Sequence, residues 1–429
     1  MGEAPKKSRL TSFPHRRVYT EPFDRFREPP RQNLFLMPLI WLLCRIMTLG
    51  HGLKIEKHRM EGLKPPYLVL CTHHAFMDFY VTPLALFPHR ANYISELEGF
   101  EAFGEWIYRQ AGCLGTRKFV SDMALIKNIR RVIGRKGIMV IYPEARYANV
   151  GTSSELPASV GKLAKALAVP VVTINMHGNY LQSPIWNLKK RSGVPLSAEV
   201  TQLFTREELS TASAEEINAA ISEKLSYDEY HWQLEKGIRI TSPWRAEGLH
   251  KALYRCCKCG AEHVMDSRGA ELFCKSCGFS CVMDEYGRLL CDGGEFEYSH
   301  IPDWYEWQRE MVSREIDRGE YRLDIAVQVE ALPNAKNFID CGEGRLIHDE
   351  NGFTLTFTEC GEEKTLRFPP LSMTSVHTEY DYRSKWGECI TLSTVDDTYF
   401  LFPRGEGFSA TRIQLATEYL YKKAKSRKG

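Results

Sequence analysis

The sequence predicts three successive units: an α/β domain, a small module with paired cysteines, and an antiparallel β-rich unit that ends in one helix. Three observations support this division. Short β-branched runs alternate with amphipathic helices from residue 56 to about 185, which is typical of α/β folds. Two Cys-x2-Cys pairs follow further along the chain. After residue 320, short alternating strands separated by turns lead to a final amphipathic helix.

The composition is that of an ordinary globular protein. The 429 residues are 43% hydrophobic and carry a net charge of +2, which gives no indication of a nucleic-acid partner. No secretory signal is recognisable, because the first apolar run starts only at Leu34. Seven of the thirteen cysteines lie between Cys256 and Cys291, a cluster that in a reducing compartment favours metal binding over disulfides. We therefore expect a cytoplasmic protein.

The N-terminal region, residues 1–55, combines a basic start with one short apolar segment. Residues 1–33 contain eight basic residues against four acidic ones. The apolar core Leu34–Cys44 is too short to span the roughly 30 Å of a bilayer core, and Arg45 interrupts it. The segment is either a buried helix or a helix in the membrane interface, and Trp41 with the flanking arginines favours the interface. We expect a peripheral or monotopic protein on the inner face of the membrane.

Residues 56–250 are predicted to form the α/β domain. The candidate strands of its largely parallel sheet are Tyr67–Cys71, Gly137–Tyr142 and Val169–Asn175. The clearest helix covers 121–137, with Ser121 as its predicted cap. A second helical stretch opens with the capping box Ser-Ala-Glu-Glu at Ser213. In such folds the active groups lie at the carboxyl ends of strands, and His73 follows one of these ends.

Two adjacent histidines, His73 and His74, and then Asp78 follow the first candidate strand. Neighbouring side chains of an extended chain point to opposite faces. On a helix, His74 and Asp78 share a face, so spacing alone favours His74; His73 pairs with Asp78 only if the chain turns before the helix begins. A histidine held by a carboxylate is a general base near neutral pH. The alternative is that both histidines fill a strand–helix corner.

Four ordered blocks within residues 56–185 resemble the glycerolipid (lysophosphatidic acid, PlsC-like) acyltransferase family. They are "HHAFMD" with His73 and Asp78, "GCLGTR" ending in Arg117, "IYPEAR" with Glu144, and "VPVVTI" around Pro170. The resemblance implies that His73 is the general base and that Asp78 orients its imidazole. It also implies that Arg117 binds the phosphate of the acceptor, a task that suits a guanidinium.

The third block departs from the family pattern, which has a glycine after the glutamate and an arginine three positions beyond the glutamate. Here Ala145 follows Glu144, and Arg146 comes one position closer. Because alanine does not take positive φ cheaply, we expect this loop to be rebuilt. Glu144 and Arg146 are nevertheless predicted to contact substrate, with a plain surface arginine as the alternative for Arg146.

The resemblance implies a membrane-associated enzyme without a catalytic cofactor. It would transfer an acyl group from acyl-CoA or acyl carrier protein to the hydroxyl of a lysophospholipid, with 1-acyl-sn-glycerol-3-phosphate as the first candidate. Two alternatives stay open: an acyltransferase with another lysolipid or polyol acceptor, or a non-catalytic protein whose cysteine module binds a partner.

Residues 251–295 are predicted to form a zinc ribbon. The pairs Cys256-x2-Cys259 and Cys274-x2-Cys277 are separated by fourteen residues, and each pair is followed by glycine. This spacing is typical of a closed tetrahedral zinc site with a structural role, and disulfides or free thiols are the alternatives.

The remaining chain is predicted to contain a linker over residues 296–335, with a helix at 302–317, and then a β domain over residues 336–429. Its short alternating strands and closing helix, Ser409–Lys425, resemble a pleckstrin-homology-like (PH-like) antiparallel barrel in architecture.

Overall fold

A computed structural model describes residues 21–187, 189–359, 361–382 and 387–427 of the chain. The basic residues at positions 6–17, which belong to the predicted basic N-terminal region, lie outside these ranges. The α/β part is built on a seven-stranded sheet of order β1-β7-β6-β2-β5-β3-β4, in which only the β6–β7 pair is antiparallel. Its strands are β1 (Lys54–His58), β2 (Tyr67–Cys71), β3 (Asn92–Glu96), β4 (Cys113–Thr116), β5 (Ile138–Ile141), β6 (Val171–His177) and β7 (Ser197–Phe204).

Helices cover this sheet on both faces because its central strand, β2, is apolar on both sides. Leu68 and Leu70 face a core that includes Ile129 and Val132, whereas Val69 faces Val81 on the opposite side. The helices of this half are α1 (Met37–Met47), α2 (Asp78–Ala85), α3 (Leu97–Phe103), α4 (Glu105–Gln110), α5 (Met123–Gly134), α6 (Ser159–Leu167), α7 (Asn179–Gln182), α8 (Arg206–Thr211), α9 (Ala214–Lys224), α10 (Glu229–Glu235) and α11 (Leu249–Ala252).

The predicted strands around the central sheet are confirmed within two residues, whereas two helix predictions need correction. Helix α5 is capped by the Asp122 carboxylate, which accepts the Ala124 N–H at 2.8 Å, and not by Ser121. The stretch that opens at Ser213 has its predicted capping box but forms two helices, α9 and α10. Asp228 starts the second one as a separate cap.

The second half of the chain contains two antiparallel sheets. A four-stranded sheet of order β11-β10-β9-β8 carries the cysteines, with β8 (Met265–Arg268), β9 (Glu271–Cys274), β10 (Ser280–Met283) and β11 (Leu289–Leu290). The larger sheet has the order β15-β14-β13-β12-β18-β17-β16. Its strands are β12 (Leu323–Ala331), β13 (Ile339–Asp349), β14 (Gly352–Glu359), β15 (Glu362–Phe368), β16 (His377–Glu379), β17 (Cys389–Ser393) and β18 (Thr398–Arg404).

The larger sheet begins at β12, inside the range predicted as a linker, and its edge strands are β15 and β16. The PH-like barrel therefore stays a prediction, while an antiparallel C-terminal sheet is present. Helices α12 (Ile301–Asp317) and α13 (Ala410–Ser426) lie side by side, and Tyr419 donates a hydrogen bond to Asp317. One apolar core runs from Trp186 in the α/β half through Trp304 on α12 to Leu415 on α13.

Helix α1 buries only a narrow stripe, Met37 and Cys44, and presents a row of large apolar side chains to solvent. Among the described residues, no helix is both long and apolar enough to cross a membrane. The exposed apolar side chains of α1 are Leu39, Leu42, Leu43 and Ile46.

Candidate active site

The carboxyl ends of the parallel strands gather the predicted site residues at one edge of the sheet. β2 leads into His73, β5 into Glu144 and Arg146, and β4 into Arg117. β5 lies next to β2 in the sheet, and β4 lies two strands beyond β5; all of these strands are parallel, so the residues that follow them emerge on the same side. The Ala148 N–H donates to the His73 carbonyl at 3.1 Å, which fastens the loop after β5 to the end of β2.

His73 and Asp78 are paired across the strand–helix turn. His73 Nδ1 lies 3.0 Å from Asp78 Oδ2, and the same oxygen accepts the backbone N–H groups of His74 (2.7 Å) and Ala75 (3.2 Å). Asp78 is the first residue of α2, so its carboxylate reaches back over the turn that precedes the helix. This turn brings the imidazole ring of His73 to the Asp78 carboxylate, whereas His74 contacts the carboxylate through its backbone N–H.

The pairing decides which ring nitrogen of His73 is free to react. A carboxylate only accepts hydrogen bonds, so Nδ1 carries the hydrogen and Nε2 presents a lone pair. The ring packs between Tyr142 and Tyr147, with centroid separations of 4.5 and 4.6 Å, and the side chain keeps 9% of its surface exposed. The arrangement can take a proton from a hydroxyl at Nε2 and stabilise the resulting imidazolium.

Asn179, at the start of α7, holds the far oxygen of Asp78. Its side-chain amide donates to Asp78 Oδ1 at 2.6 Å, and both residues are fully buried. Asp78 accepts four hydrogen bonds in all, and they satisfy both oxygens of this buried carboxylate. The sequence analysis missed Asn179; its position just after the carboxyl end of β6 was the available signal.

His74 points away from this pair into a second buried network. Its ring stacks on Tyr227 with centroids 4.0 Å apart, and its Nδ1 lies 3.7 Å from Glu229 Oε1. Glu229 also accepts hydrogen bonds from His177 Nδ1 and Gly178 N, each at 2.7 Å. Burial alone would raise the pKa of Glu229, but His74 and His177 lower it to about 2. His74 is therefore part of a structural ion network, which the sequence analysis had no signal to predict.

Glu144 is occupied by the protein itself. One oxygen accepts the Ser154 N–H (2.9 Å) and hydroxyl (2.7 Å), and the other lies 3.3 Å from the His73 N–H. The Tyr227 hydroxyl is 3.3 Å from both oxygens. Glu144 thus ties the loop after β5 to the backbone of His73, and its predicted contact with substrate stays a prediction.

Ala145 takes the positive φ that the sequence analysis expected an alanine to avoid, whereas the rebuilding of this loop stays a prediction. Its φ is +56°, the left-handed conformation that a glycine would take at this position without strain. The neighbouring Glu144 is fixed by hydrogen bonds to His73 and Ser154 on either side of this turn.

Arg117 and Arg146 both reach residues of the C-terminal half. The Arg117 guanidinium donates to the carbonyls of Leu332, Pro333 and Asp396 and to the Thr398 hydroxyl, at 2.7–3.2 Å. Burial lowers the pKa of Arg117 to about 10. Arg146 Nη2 lies 3.1 Å from Glu418 Oε1 on α13. Their assignment to substrate binding stays a prediction, and the structure shows their present partners.

The region that contains this edge of the sheet has known relatives. Residues 54–177 match the Acyltransferase family model. This range, here called the acyltransferase domain, includes His73, Asp78, Arg117, Glu144 and Arg146. Among solved structures, the chain is similar to the 1-acyl-sn-glycerophosphate (LPA) acyltransferase PlsC from Thermotoga maritima, at 16% identity and a TM-score of 0.38, over 44% of this chain and 77% of that chain. No curated protein matches the chain significantly.

Outside the acyltransferase domain, four cysteines form a candidate metal centre. The sulfur atoms of Cys256 and Cys277 are 3.8 Å apart, as are those of Cys259 and Cys274, and all four lie within 4.8 Å of one another. Tetrahedral Zn²⁺ with bonds of about 2.3 Å requires sulfurs roughly 3.8 Å apart, so the four thiols fit zinc. A closed set of four protein ligands suits a structural ion.

A second group of ligand types, Asp228, His231 and His300, also lies within 4.8 Å. Asp228 Oδ2 is 3.0 Å from His231 Nδ1 and 2.8 Å from His300 Nε2. Hydrogen bonds within the group therefore account for its compactness, and they tie α10 to the start of α12.

Proposed function

We propose that the chain is an O-acyltransferase that moves an acyl group from a thioester donor, acyl-CoA or acyl carrier protein, to the hydroxyl of a membrane lysolipid. The observation that carries the proposal is the 3.0 Å contact of His73 Nδ1 with Asp78 within a region that matches the Acyltransferase family. His73 Nε2 removes the hydroxyl proton as the oxygen attacks the thioester carbonyl. The thiol then leaves as the tetrahedral intermediate collapses, and the imidazolium supplies the proton.

Asp78 and its four donors keep the reaction geometry fixed. The carboxylate stabilises the imidazolium that forms, and Asn179 with two backbone N–H groups prevents it from rotating away. General-base assistance of this kind contributes roughly 10²–10⁴-fold to the rate. The proposed cycle uses no catalytic cofactor, because a proton transfer and an acyl transfer need only these side chains and the thioester.

The exposed apolar face supports a membrane location for the proposed reaction. Helix α1 presents Leu42 and its neighbours to solvent, and Trp41 packs on Phe87 with ring centroids 4.7 Å apart. Phe76, between His74 and Asp78 in the catalytic turn, is 45% exposed and stacks near Phe103 at 6.5 Å. A face of this kind suits the boundary between head groups and acyl chains, where a lysolipid and a long acyl thioester are both presented.

The acceptor that the family resemblance names first, 1-acyl-sn-glycerol-3-phosphate, requires a cation for its phosphate. A lysolipid or polyol without a phosphate monoester does not. Both kinds of acceptor are compatible with the proposed acyl transfer. The partners of Arg117 and Arg146 inside the protein help to choose between them.

The experiment uses the full chain in mixed micelles with acyl-CoA or acyl carrier protein and a panel of lysolipids, and it measures thiol release and the lipid product. We expect acyl transfer by the wild type and its loss in His73→Ala. The matched variant His231→Ala removes an exposed histidine of α10 and should retain activity. Equal rates for wild type and His73→Ala would contradict the assignment, and no transfer to any acceptor would favour the non-catalytic zinc-ribbon protein.

A further inference from the structure

Arg117, the residue that resemblance assigns to the acceptor phosphate, has no amino N–H left to offer. Its Nη1 donates to Leu332 O (3.1 Å) and Thr398 Oγ1 (3.2 Å), and its Nη2 donates to Pro333 O and Asp396 O (both 2.7 Å). Only Nε, a buried atom, lacks a hydrogen-bond partner among the described residues. Bidentate binding of a phosphate needs two parallel N–H groups, so Arg117 cannot supply it without leaving the C-terminal half.

Arg146 is held in the same way by a carboxylate. Its partner Glu418 is fixed by Arg309 (2.5 Å), by the Ser375 hydroxyl (2.8 Å) and by Gln414 (3.0 Å) as well as by Arg146. Burial alone would raise the pKa of Glu418, but the two arginines lower it to about 2. The lowered pKa keeps Glu418 ionised near neutral pH, so the charge of Arg146 is paired inside the protein.

Lys118, the neighbour of Arg117, is paired as well. Its Nζ lies 2.8 Å from Glu96, which ends β3, and 3.1 Å from the ring nitrogens of His377. Burial, with the carboxylates of Glu96 and Glu379, raises the pKa of Glu98 to about 8. Burial is the largest cause of this shift, and the two carboxylates add to it.

These contacts lead to an inference about the acceptor, which rests on the proposed function. We propose that the acceptor is a lysolipid or acylglycerol whose head group carries no phosphate monoester. A phosphate monoester brings between one and two negative charges and needs charge-assisted donors. Within the part of the chain that the structure describes, Arg117, Arg146 and Lys118 are each engaged by protein groups, so none of the three is free to receive such a group. A hydroxyl on a neutral or phosphodiester head group makes neither demand.

The test compares acceptors with one acyl chain and different head groups: 1-oleoylglycerol, 1-oleoyl-lysophosphatidylcholine and 1-oleoylglycerol-3-phosphate, each in the same neutral micelle with oleoyl-CoA. We expect kcat/KM for at least one of the first two to exceed that for the phosphate monoester by about tenfold or more, because unpaired charge in a site is a strong discriminator. An equal or higher kcat/KM for the phosphate monoester would overturn the proposal. Absence of transfer to all three would instead contradict the acyltransferase function, and the inference with it.

A variant pair tests whether internal pairing is the cause. Glu418→Gln leaves Arg146 without its carboxylate, and we expect the ratio of kcat/KM for the phosphate monoester over 1-oleoylglycerol to rise by about threefold or more. The control Glu310→Gln breaks an exposed ion pair with Arg314 on α12 and should leave the ratio unchanged. Because the ratio is taken within one preparation, partial unfolding cancels. An unchanged ratio in Glu418→Gln would refute the explanation.

Discussion

Asp78→Asn tests the charge of the proposed catalytic carboxylate separately from its shape. Asn is isosteric with Asp, and the oxygen that replaces Oδ2 still accepts the N–H groups of His73, His74 and Ala75. The new amide nitrogen would face the donating amide of Asn179. The Oδ1 atom of Asn179 is buried and has no hydrogen-bond partner among the described residues, so an amide flip at position 179 restores a donor–acceptor pair.

The expected result follows from this local rearrangement. Four hydrogen bonds persist as neutral ones, so we expect the free energy of unfolding to change by no more than about 3 kcal/mol. The imidazolium of His73 loses its counter-charge, and kcat/KM should fall by about 10²–10⁴, equivalent to roughly 3–5 kcal/mol in the barrier. Thermal unfolding and thiol release on the same preparation measure the two quantities.

The comparison with Asp78→Ala makes the test sharper. Alanine removes every acceptor and leaves the buried N–H groups of His74 and Ala75 unpaired, which costs about 1–3 kcal/mol each. We therefore expect Asp78→Ala to be much less stable than Asp78→Asn but equally inactive. If Asp78→Asn keeps more than about a tenth of the wild-type kcat/KM, the negative charge is not needed and the assigned role of Asp78 is refuted.

Three further outcomes are expected. Metal analysis of reduced protein should find one zinc per chain. Cys277→Ser should lose the zinc and lower Tm, whereas Cys291→Ser, outside the four-sulfur group, should retain it. A wild-type protein without zinc would contradict the ribbon. Leu42→Asp on α1 should reduce co-sedimentation with anionic vesicles, whereas Leu234→Asp, an equally apolar exposed site on α10, should not. The pKa of Glu98 is raised from 4.5 to about 8 in the folded protein, so the folded state binds this proton more tightly than the unfolded state. The free energy of unfolding should therefore fall as the pH rises from about 4.5 to about 8, and Glu98→Gln should flatten that part of the curve of Tm against pH.

Features encoded in short stretches of sequence were predictable. β2 shows as an unbroken apolar run because both of its faces are covered, and the cysteine pairs show by their spacing alone. β1 was missed because its sequence, Lys-Ile-Glu-Lys-His, is that of an exposed edge strand with one apolar residue. β3 and β4 were missed because both are only partly buried and their sequences, Asn-Tyr-Ile-Ser-Glu and Cys-Leu-Gly-Thr, contain no unbroken apolar run.

The choice between the two histidines was beyond what helical periodicity can decide. The period of 3.6 residues favoured His74, but the residues between β2 and α2 are not helical, so the period does not apply there. The family resemblance pointed to His73, and the structure gives the physical reason: Asp78 Oδ2 accepts the N–H groups of His74 and Ala75 and so shapes the turn. Asn179 lies 101 residues from Asp78, and no local pattern reports such a contact.

Arg117 and Arg146, the arginines proposed to bear on acceptor choice, contact a part of the chain that the family match does not cover. The match ends at residue 177, whereas the groups that occupy the Arg117 guanidinium lie 215 to 281 residues further along. A block of sequence can therefore keep the family's arginine while the fold gives it another partner. We expect the proposed catalysis and the acceptor choice to be separable, because the hydrogen bonds described for Asp78 come from residues up to Asn179. Arg117 and Arg146 instead contact residues of the C-terminal half. Changes at Glu418 should accordingly alter which acceptor is used, and changes at Asp78 should alter the rate with every acceptor.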